Sequence, residues 1–154
     1  MTTEESSPEQ GPDTAPERGP LLLAIRTVGV PVTDQDRSLD FYVGTLGMTK
    51  QLDAALDELG ARWIEVAPRD GGTTVALVLA GDQLPSGVET GLRLTTDDAA
   101  ALHRHLHDLG VGVGELLNWP GVPPMFAFRD PDGNGLEIVQ SSEPGRQPVP
   151  SQPG

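Results

Sequence analysis

The chain has 154 residues, a length that suits one domain of ordinary size, and its formal net charge is −13. Because an acidic surface repels polyanions, we expect neither nucleic acid nor an anionic membrane as a partner. Cysteine is absent, which excludes a disulfide framework, a thiolate nucleophile and a sulfur-ligated metal site. The start, MTTEESSPEQ, lacks the pattern of a secretory signal, and we expect a cytoplasmic protein.

Both ends of the sequence are rich in proline and contain little that could form a core. Prolines stand at positions 8, 12, 16 and 20, and again at 144, 148, 150 and 153. Such segments bury too little apolar area to offset the entropy cost of ordering the chain. The composition therefore predicts disordered tails over residues 1–22 and 141–154, and one folded domain over residues 23–140.

The first half of the domain begins with a strand and a helix. Valine recurs at alternate positions over residues 28–32, which is the period of a sheet with one apolar face. A helix follows, with Thr33 or Asp34 as its N-cap and Gly47 as its end. Three strand candidates come next, at 48–53, 62–67 and 73–79, and the apolar stripe of the helix consists of Leu39, Tyr42, Val43 and Leu46.

The second half repeats this order. Leu92 and Leu94 repeat the strand pattern of the first half, and a second helix, from Asp97 with Thr96 as a candidate cap, ends at Gly110. The interval between the two strands is one residue longer than the interval between the two helix ends, so the second helix is predicted to be one residue shorter than the first. Its apolar stripe is Ala99, Leu102, Leu106 and Leu109, and its strand candidates are 111–117, 125–129 and 135–140.

The chain thus contains the unit β-α-β-β-β twice, as modules at about 24–80 and 88–140 with a linker at 81–87. One unit is too small to bury its helix and sheet alone. We predict an α+β fold in which two paired modules form a cupped mixed sheet with the helices outside, and ligands are expected on the inner sheet face.

Two stretches of local sequence make this interpretation more specific. VPVTD (30–34) leads into SLDFY (38–42), and FRDPDGNGLEI covers 128–138. In this order of elements, residues 24–140 resemble the vicinal oxygen chelate superfamily, which includes glyoxalase I, extradiol dioxygenases, fosfomycin-modifying enzymes and bleomycin-binding proteins. The resemblance implies a cavity in each cupped sheet, and frequent homodimers in which the partner completes the cavity.

The resemblance also implies where a metal would bind. Metal enzymes of this superfamily typically place one ligand on the first strand and one on the last strand of each module. In this sequence those positions are Thr27 and Ala76 in the first module, and Gly91 (or Thr90) and Glu137 in the second. A lone carboxylate binds a transition metal weakly. We therefore expect no metal and no cofactor, with a divalent metal as the disfavoured alternative, and no glyoxalase I activity.

Strand alternation selects further candidates on the inner face. If Leu136 and Ile138 face the helices, Glu137 points into the cavity as a ligand contact, a general base or a satisfied carboxylate. Arg93 faces inward and can pair with an acid, and Trp119 lies in a loop that can cover the cavity. Phe126 and Phe128 share one strand face, which either lines the cavity or packs beneath the helix. The candidate ligand-binding residues are Thr27, Trp63, Glu65, Ala76, Gly91, Arg93, Trp119, Phe126, Phe128 and Glu137.

The three histidines, His103, His105 and His107, lie on the second helix. His103 and His107 have the i, i+4 spacing of two metal ligands, but they fall on the flank of the apolar stripe. A solvated helix flank is therefore the favoured interpretation.

Three hypotheses about function follow. The leading one is a metal-free binder of a small hydrophobic or cationic organic molecule. The second is an enzyme of lyase, isomerase or dioxygenase type that uses Glu137 as a catalytic residue, with or without a divalent metal. The third is an interaction module with a vestigial cavity.

Overall fold

The computed structural model describes residues 19–141, so most of both predicted tails lies outside the described residues. The elements in chain order are β1 (Thr27–Val32), α1 (Gln35–Leu39) with a π-helical continuation (Asp40–Thr45), β2 (Thr49–Leu56), a 3₁₀ turn (Asp57–Leu59), β3 (Ala61–Ala67), β4 (Thr74–Leu79), β5 (Glu89–Thr96), α2 (Ala99–Asp108), β6 (Met125–Arg129) and β7 (Gly135–Gln140). Within this part of the chain, no helix is both long and apolar enough to cross a bilayer.

The strands form two mixed sheets, one per module, which confirms the predicted α+β fold of paired modules. In the first sheet the order is β1-β4-β3-β2, and in the second it is β5-β7-β6. The first strand of each module runs parallel to the last, and the other pairs are antiparallel. Because the first and last strands are hydrogen-bonded neighbours, the predicted ligand positions of each module come to one place.

The predicted strand at 111–117 is wrong as a continuous strand. Only isolated bridges join Val113 to Phe128 and Leu117 to Met125. Gly112 and Gly114 interrupt the segment, and glycine is disfavoured in strand interiors because it has no side chain to pack and loses more entropy on ordering. The segment therefore lies along β6 without forming a full ladder.

The two helices begin at equivalent aspartates. The side chain of Asp34 accepts a hydrogen bond from the Arg37 backbone N–H at 3.0 Å, and that of Asp98 accepts one from Ala101 at 3.0 Å. The predicted start of the second helix at Asp97 is thus one residue early. The interval between the two capping aspartates equals the interval between the repeated strand positions, so strand and cap repeat in step.

The one-residue difference in helix length has a structural cause. The π-helical stretch Asp40–Thr45 follows α1, and the Leu46 backbone N–H bonds to the Phe41 carbonyl, five residues back, at 2.9 Å. A π-helical turn holds more residues than an α-helical turn, so it accommodates an extra residue without moving the helix end. The first helix therefore remains aligned with the second despite the insertion.

Both modules contribute to one hydrophobic core. Leu109, predicted as part of the second apolar stripe, is 55% exposed because it is the C-cap of α2 and lies past the last helical turn. The residues of this core cluster are Val30, Val32, Tyr42, Met48, Ile64, Val66, Val75 and Leu77 from the first module, and Ala99, Leu106, Phe126, Phe128, Leu136 and Ile138 from the second.

A polar network ties the β6–β7 turn to the first module. Asp130 Oδ1 accepts from the backbone N–H groups of Asp132 and Asn134, both at 2.9 Å. Its Oδ2 accepts from the Tyr42 hydroxyl at 2.8 Å and from Asn134 Nδ2 at 3.0 Å. We call Tyr42, Asp130, Asp132 and Asn134 the inter-module clasp.

Asn134 connects the clasp to two other segments. Its Nδ2 donates to the Pro31 carbonyl in β1 at 2.7 Å, and its Oδ1 accepts from the backbone N–H groups of Gly87 and Val88 at 2.8 and 3.0 Å. Its side chain thus makes four hydrogen bonds within the protein, including the one to Asp130, and the residue is fully buried. The clasp therefore fixes how the two modules and their linker meet.

Candidate functional site

Each sheet packs one face on the core and leaves the other open. On the open face of the first sheet, the strand register places Ala76 beside Gly29 on one side and beside Glu65 on the other. On the open face of the second sheet, Glu137 stands between Arg93 and Ala127. Gly29, Ala76 and Glu65 therefore form a transverse row in the first module, and Arg93, Glu137 and Ala127 form one in the second.

The two rows correspond position by position. Gly29 and Arg93 are separated by the same interval as the two helix caps, and both neighbour the last strand, so Ala76 and Glu137 occupy equivalent places. By the same comparison, Ala127 is the counterpart of Glu65. Each module thus carries one carboxylate in this row, but on a different strand.

In both modules, the first-strand positions lack a side-chain atom that is free to coordinate a metal ion. The hydroxyls of Thr27 and Thr74 are hydrogen-bonded to each other, and because Thr74 donates its one proton to Glu65, Thr27 is the donor in this pair. Gly91 has φ +76° and lies where the β5 register shifts, a backbone conformation that favours glycine. Thr90, the slipped alternative, donates to the Gly135 carbonyl at 2.7 Å.

Glu65 is buried on the open face of the first sheet, with 5% of the residue exposed. Its Oε2 accepts from the Trp63 indole N–H at 2.8 Å, its Oε1 accepts from the Thr74 hydroxyl at 3.0 Å, and Arg26 Nη2 lies 3.9 Å from Oε2. The Trp63 hydrogen bond, helped by Thr74 and Arg26, lowers the pKa of the Glu65 carboxyl although burial opposes this. Glu65 is therefore held as a carboxylate.

Glu65 borders a cleft of about 660 Å³. Apolar side chains of Ala24, Ile25 and Leu52 line it beside the polar Gln51, and Thr73 closes another side. The volume falls in the range of small-molecule sites. The first module thus has a concave opening with a carboxylate in its lining.

On the second sheet, Glu137 is engaged by a neighbour. Arg93 Nε donates to Glu137 Oε1 at 2.9 Å, and Arg93 Nη2 lies 3.7 Å from Met125 Sδ. The side chains of Arg93 and Glu137 are 56% and 49% exposed, so this face is open to solvent in a single chain. Of the alternatives for Arg93, the structure shows the internal ion pair.

Phe126 and Phe128 are not on the open face. Both are buried beneath the helices, where Phe126 packs edge-on against the His103 ring (centroids 5.0 Å apart) and Phe128 lies 6.2 Å from Phe41. Their cross-strand partners are Ile138 and Leu136, which also face the core. The structure therefore corrects their inclusion among the ligand-binding candidates. Trp119, in contrast, is 58% exposed in its loop.

Two of the three helix histidines have local structural partners. His103 Nε2 lies 2.8 Å from the Gly114 carbonyl oxygen, and His107 lies beside Asp108. Across residues 19–141, no three side chains of metal-binding type gather around a common point. The four superfamily positions supply a single carboxylate, already bound by Arg93, so they do not fit a divalent ion.

A family model for the Glyoxalase/Bleomycin resistance protein/Dioxygenase superfamily matches residues 24–138. The chain belongs to this superfamily. This confirms the resemblance to vicinal oxygen chelate proteins. No curated protein matched the chain.

Solved structures of the superfamily support the same assignment. TnmS3, an antibiotic binding protein from Streptomyces sp. CB03234, is 35% identical, covers 79% of this chain and 98% of its own, and superposes with a TM-score of 0.69. A superfamily member from Sphaerobacter thermophilus DSM 20745 is 33% identical, with coverages of 78% and 98% and a TM-score of 0.72. A glyoxalase/bleomycin resistance protein from the same Streptomyces strain is 36% identical, with coverages of 76% and 100% and a TM-score of 0.66.

Sequence reasoning missed two residues of the first open face, Thr74 and Arg26. Thr74 could have been found, because it shares the strand alternation of Ala76 two positions on. Arg26 precedes β1, outside any regular pattern, and its approach to Glu65 depends on the reach of a long side chain.

Proposed function

We propose that this superfamily member is a metal-free binding protein for a small organic molecule, which it holds against the open sheet faces. The observation that carries this proposal is the state of the four superfamily ligand positions. Thr27, Ala76 and Gly91 have no side-chain atom free to coordinate a metal ion. Glu137 accepts a hydrogen bond from Arg93 at 2.9 Å. A site with these residues can surround an organic molecule and form hydrogen bonds with it, but it lacks the ligands that would hold a metal ion as a Lewis acid.

The comparisons support a ligand of antibiotic type. TnmS3 is described as an antibiotic binding protein and is 35% identical over most of this chain. The cleft of about 660 Å³ beside Glu65 has room for part of such a molecule.

A homodimer would complete the site. Arg93 and Glu137 are about half exposed, and Trp119 is more so, which leaves the second open face without cover in one chain. A second copy of the chain packed on this face would cover it. The expectation of a cytoplasmic protein that binds neither nucleic acid nor membrane stays a prediction.

The alternative function, acid–base catalysis by Glu137, places a demand on its carboxylate. A general base needs a carboxylate oxygen within reach of the substrate proton. Oε1 of Glu137 is already engaged by the Arg93 guanidinium. Catalysis would therefore use Oε2, or the ion pair would open in each catalytic cycle.

The test is to separate binding from metal. Purified protein, with and without EDTA treatment, is titrated by calorimetry with a panel of aromatic antibiotics, and its metal content is measured by elemental analysis. We expect binding that EDTA does not change, far less than one metal per chain, and a rise in Tm at saturation. Arg104→Gln on the exposed side of α2 is the control variant. A stoichiometric divalent ion whose removal abolishes binding, or turnover only by metal-loaded protein, would overturn the proposal.

A further inference from the structure

The two carboxylates of the open faces differ in how their charge is balanced. Glu137 has the Arg93 guanidinium at 2.9 Å. The ion-pair partner of Glu65 is Arg26, whose Nη2 is 3.9 Å away and whose side chain is 80% exposed. Glu65 is much the more buried of the two acids, yet its counter-charge is the more distant and the more hydrated.

The close partners of Glu65 orient it without neutralising it. The Trp63 indole and the Thr74 hydroxyl each donate one hydrogen bond, at 2.8 and 3.0 Å, and both groups are uncharged. A carboxylate has about four lone-pair sites, so about two remain. A buried charge is normally paired with an opposite charge at close range. The remaining acceptor capacity of Glu65 is therefore suited to a cationic donor.

The cleft beside Glu65 shows what kind of molecule could bring that cation. Ile25 and Leu52 provide apolar walls, and Gln51 and Thr73 add polar groups at the side. A cationic head alone would leave these walls without a partner. An apolar body that carries one cationic group would fill both parts of the cleft.

We propose that Glu65 is the recognition site for an ammonium or amidinium group carried on an apolar ligand body, and that this group takes the place of Arg26. The proposal rests on the proposed binding function and names the ligand class for it. Trp63 is a positioning residue, since its indole N–H holds the carboxylate toward the cleft. The self-neutralised Arg93–Glu137 pair does not select for charge in this way.

A pair of fragments of equal shape tests this directly. Benzamidine carries the cation, and benzamide is its neutral counterpart. The Trp63 indole N–H donates to the Glu65 carboxylate, so its ¹H–¹⁵N resonance reports occupancy of the site. This resonance is identified by its absence in Trp63→Phe. We expect benzamidine to shift this resonance and to bind about tenfold more tightly than benzamide, as a charge-assisted hydrogen bond provides.

Two charge-neutralising variants separate this role from a general charge effect. Glu65→Gln should remove the preference for benzamidine, whereas Glu115→Gln, which removes one carboxylate from an exposed position outside the cleft, should retain it. Near-UV circular dichroism checks that both variants are folded. Equal binding of the two fragments, or an unchanged preference in folded Glu65→Gln, would overturn the inference. If antibiotics from the calorimetric panel bind in that case, the binding function stands; if neither fragments nor antibiotics bind, both proposals fail.

Discussion

Tyr42→Phe should destabilise the protein because it removes a single oxygen from the inter-module clasp. The Tyr42 hydroxyl donates to Asp130 Oδ2 at 2.8 Å, and the tyrosine is fully buried. Phenylalanine keeps the ring, so the packing against Phe41, with centroids 5.3 Å apart, is retained. The change therefore isolates the hydrogen bond.

The expected loss follows from what Asp130 retains. A hydrogen bond to a charged group contributes about 1.5–3 kcal/mol. Asp130 Oδ2 still accepts from Asn134 Nδ2 at 3.0 Å, so the carboxylate is not left wholly unsatisfied. We expect the free energy of unfolding to fall by about 2 kcal/mol, with a urea midpoint lower by about 1 M and an unchanged m value.

Equilibrium urea denaturation followed by circular dichroism measures this loss. A double-mutant cycle with Asp130→Asn should give a coupling energy of about 1–2 kcal/mol, because the two groups are in contact. Thr95→Val, which removes one hydroxyl from an exposed position, is the matched control and should change stability by less than about 0.5 kcal/mol. A loss below about 0.5 kcal/mol for Tyr42→Phe, or no coupling, would refute the assigned role of the clasp.

Three further predictions concern the titration of Tyr42 and Glu65 and the glycines of the β6–β7 turn. Burial, followed by the charge and hydrogen bond of Asp130, raises the pKa of Tyr42, the only tyrosine in the sequence. The protonated Tyr42 hydroxyl therefore stabilises the fold fully below about pH 10, and this stabilisation is lost above that pH. Tyrosinate absorbance should appear only together with unfolding. The pKa of Glu65 is lowered, chiefly by the Trp63 hydrogen bond. Its contribution to the free energy of unfolding is therefore present above about pH 4.3 and is lost as the pH falls through the lower pKa of the folded state. The stability difference between wild type and Glu65→Gln should change over that acid range and be constant near neutrality. Gly133 has φ +82°, so Gly133→Ala should cost about 1–2 kcal/mol, whereas Gly135→Ala displaces only the ends of exposed side chains and should cost less than about 1 kcal/mol by urea denaturation.

The fold is predictable because hydrophobic alternation and turn residues coincide along most of the chain. The predicted strands at 125–129 and 135–140 have the bounds that the structure shows, since a short apolar alternation is closed there by a glycine-rich turn. The predicted start of the second helix is misplaced because Thr96, the predicted cap, and Asp98 are both accepted N-cap residues, and only the structure shows that the Asp98 side chain bonds the first turn.

The candidate site is harder to predict, because strand alternation shows which residues share a sheet face but not whether that face is the core face or the open face. Glu137 can be assigned to the open side because both neighbours, Leu136 and Ile138, are apolar. Phe126 and Phe128 have no such reference until their register with β7 is known. The balance of charge is beyond the sequence entirely, since the reach of Arg93 and Arg26 depends on where the strands place them.

The two repeated units have taken different roles, and their hairpin turns show it. The β6–β7 turn carries Asp130 and Asn134 and joins the modules, whereas the β3–β4 turn carries Gly72 and Thr73, which line the cleft beside Glu65. Since the two turns occupy equivalent places in the repeat, the difference lies in their side chains and not in the fold. Substitutions in the β6–β7 turn should therefore lower stability while the fragment preference is retained. Substitution of Thr73 in the β3–β4 turn, with Gly72 kept because its φ is +91°, should change the fragment preference with a smaller loss of stability, a separation that a site with no division between support and recognition would not show.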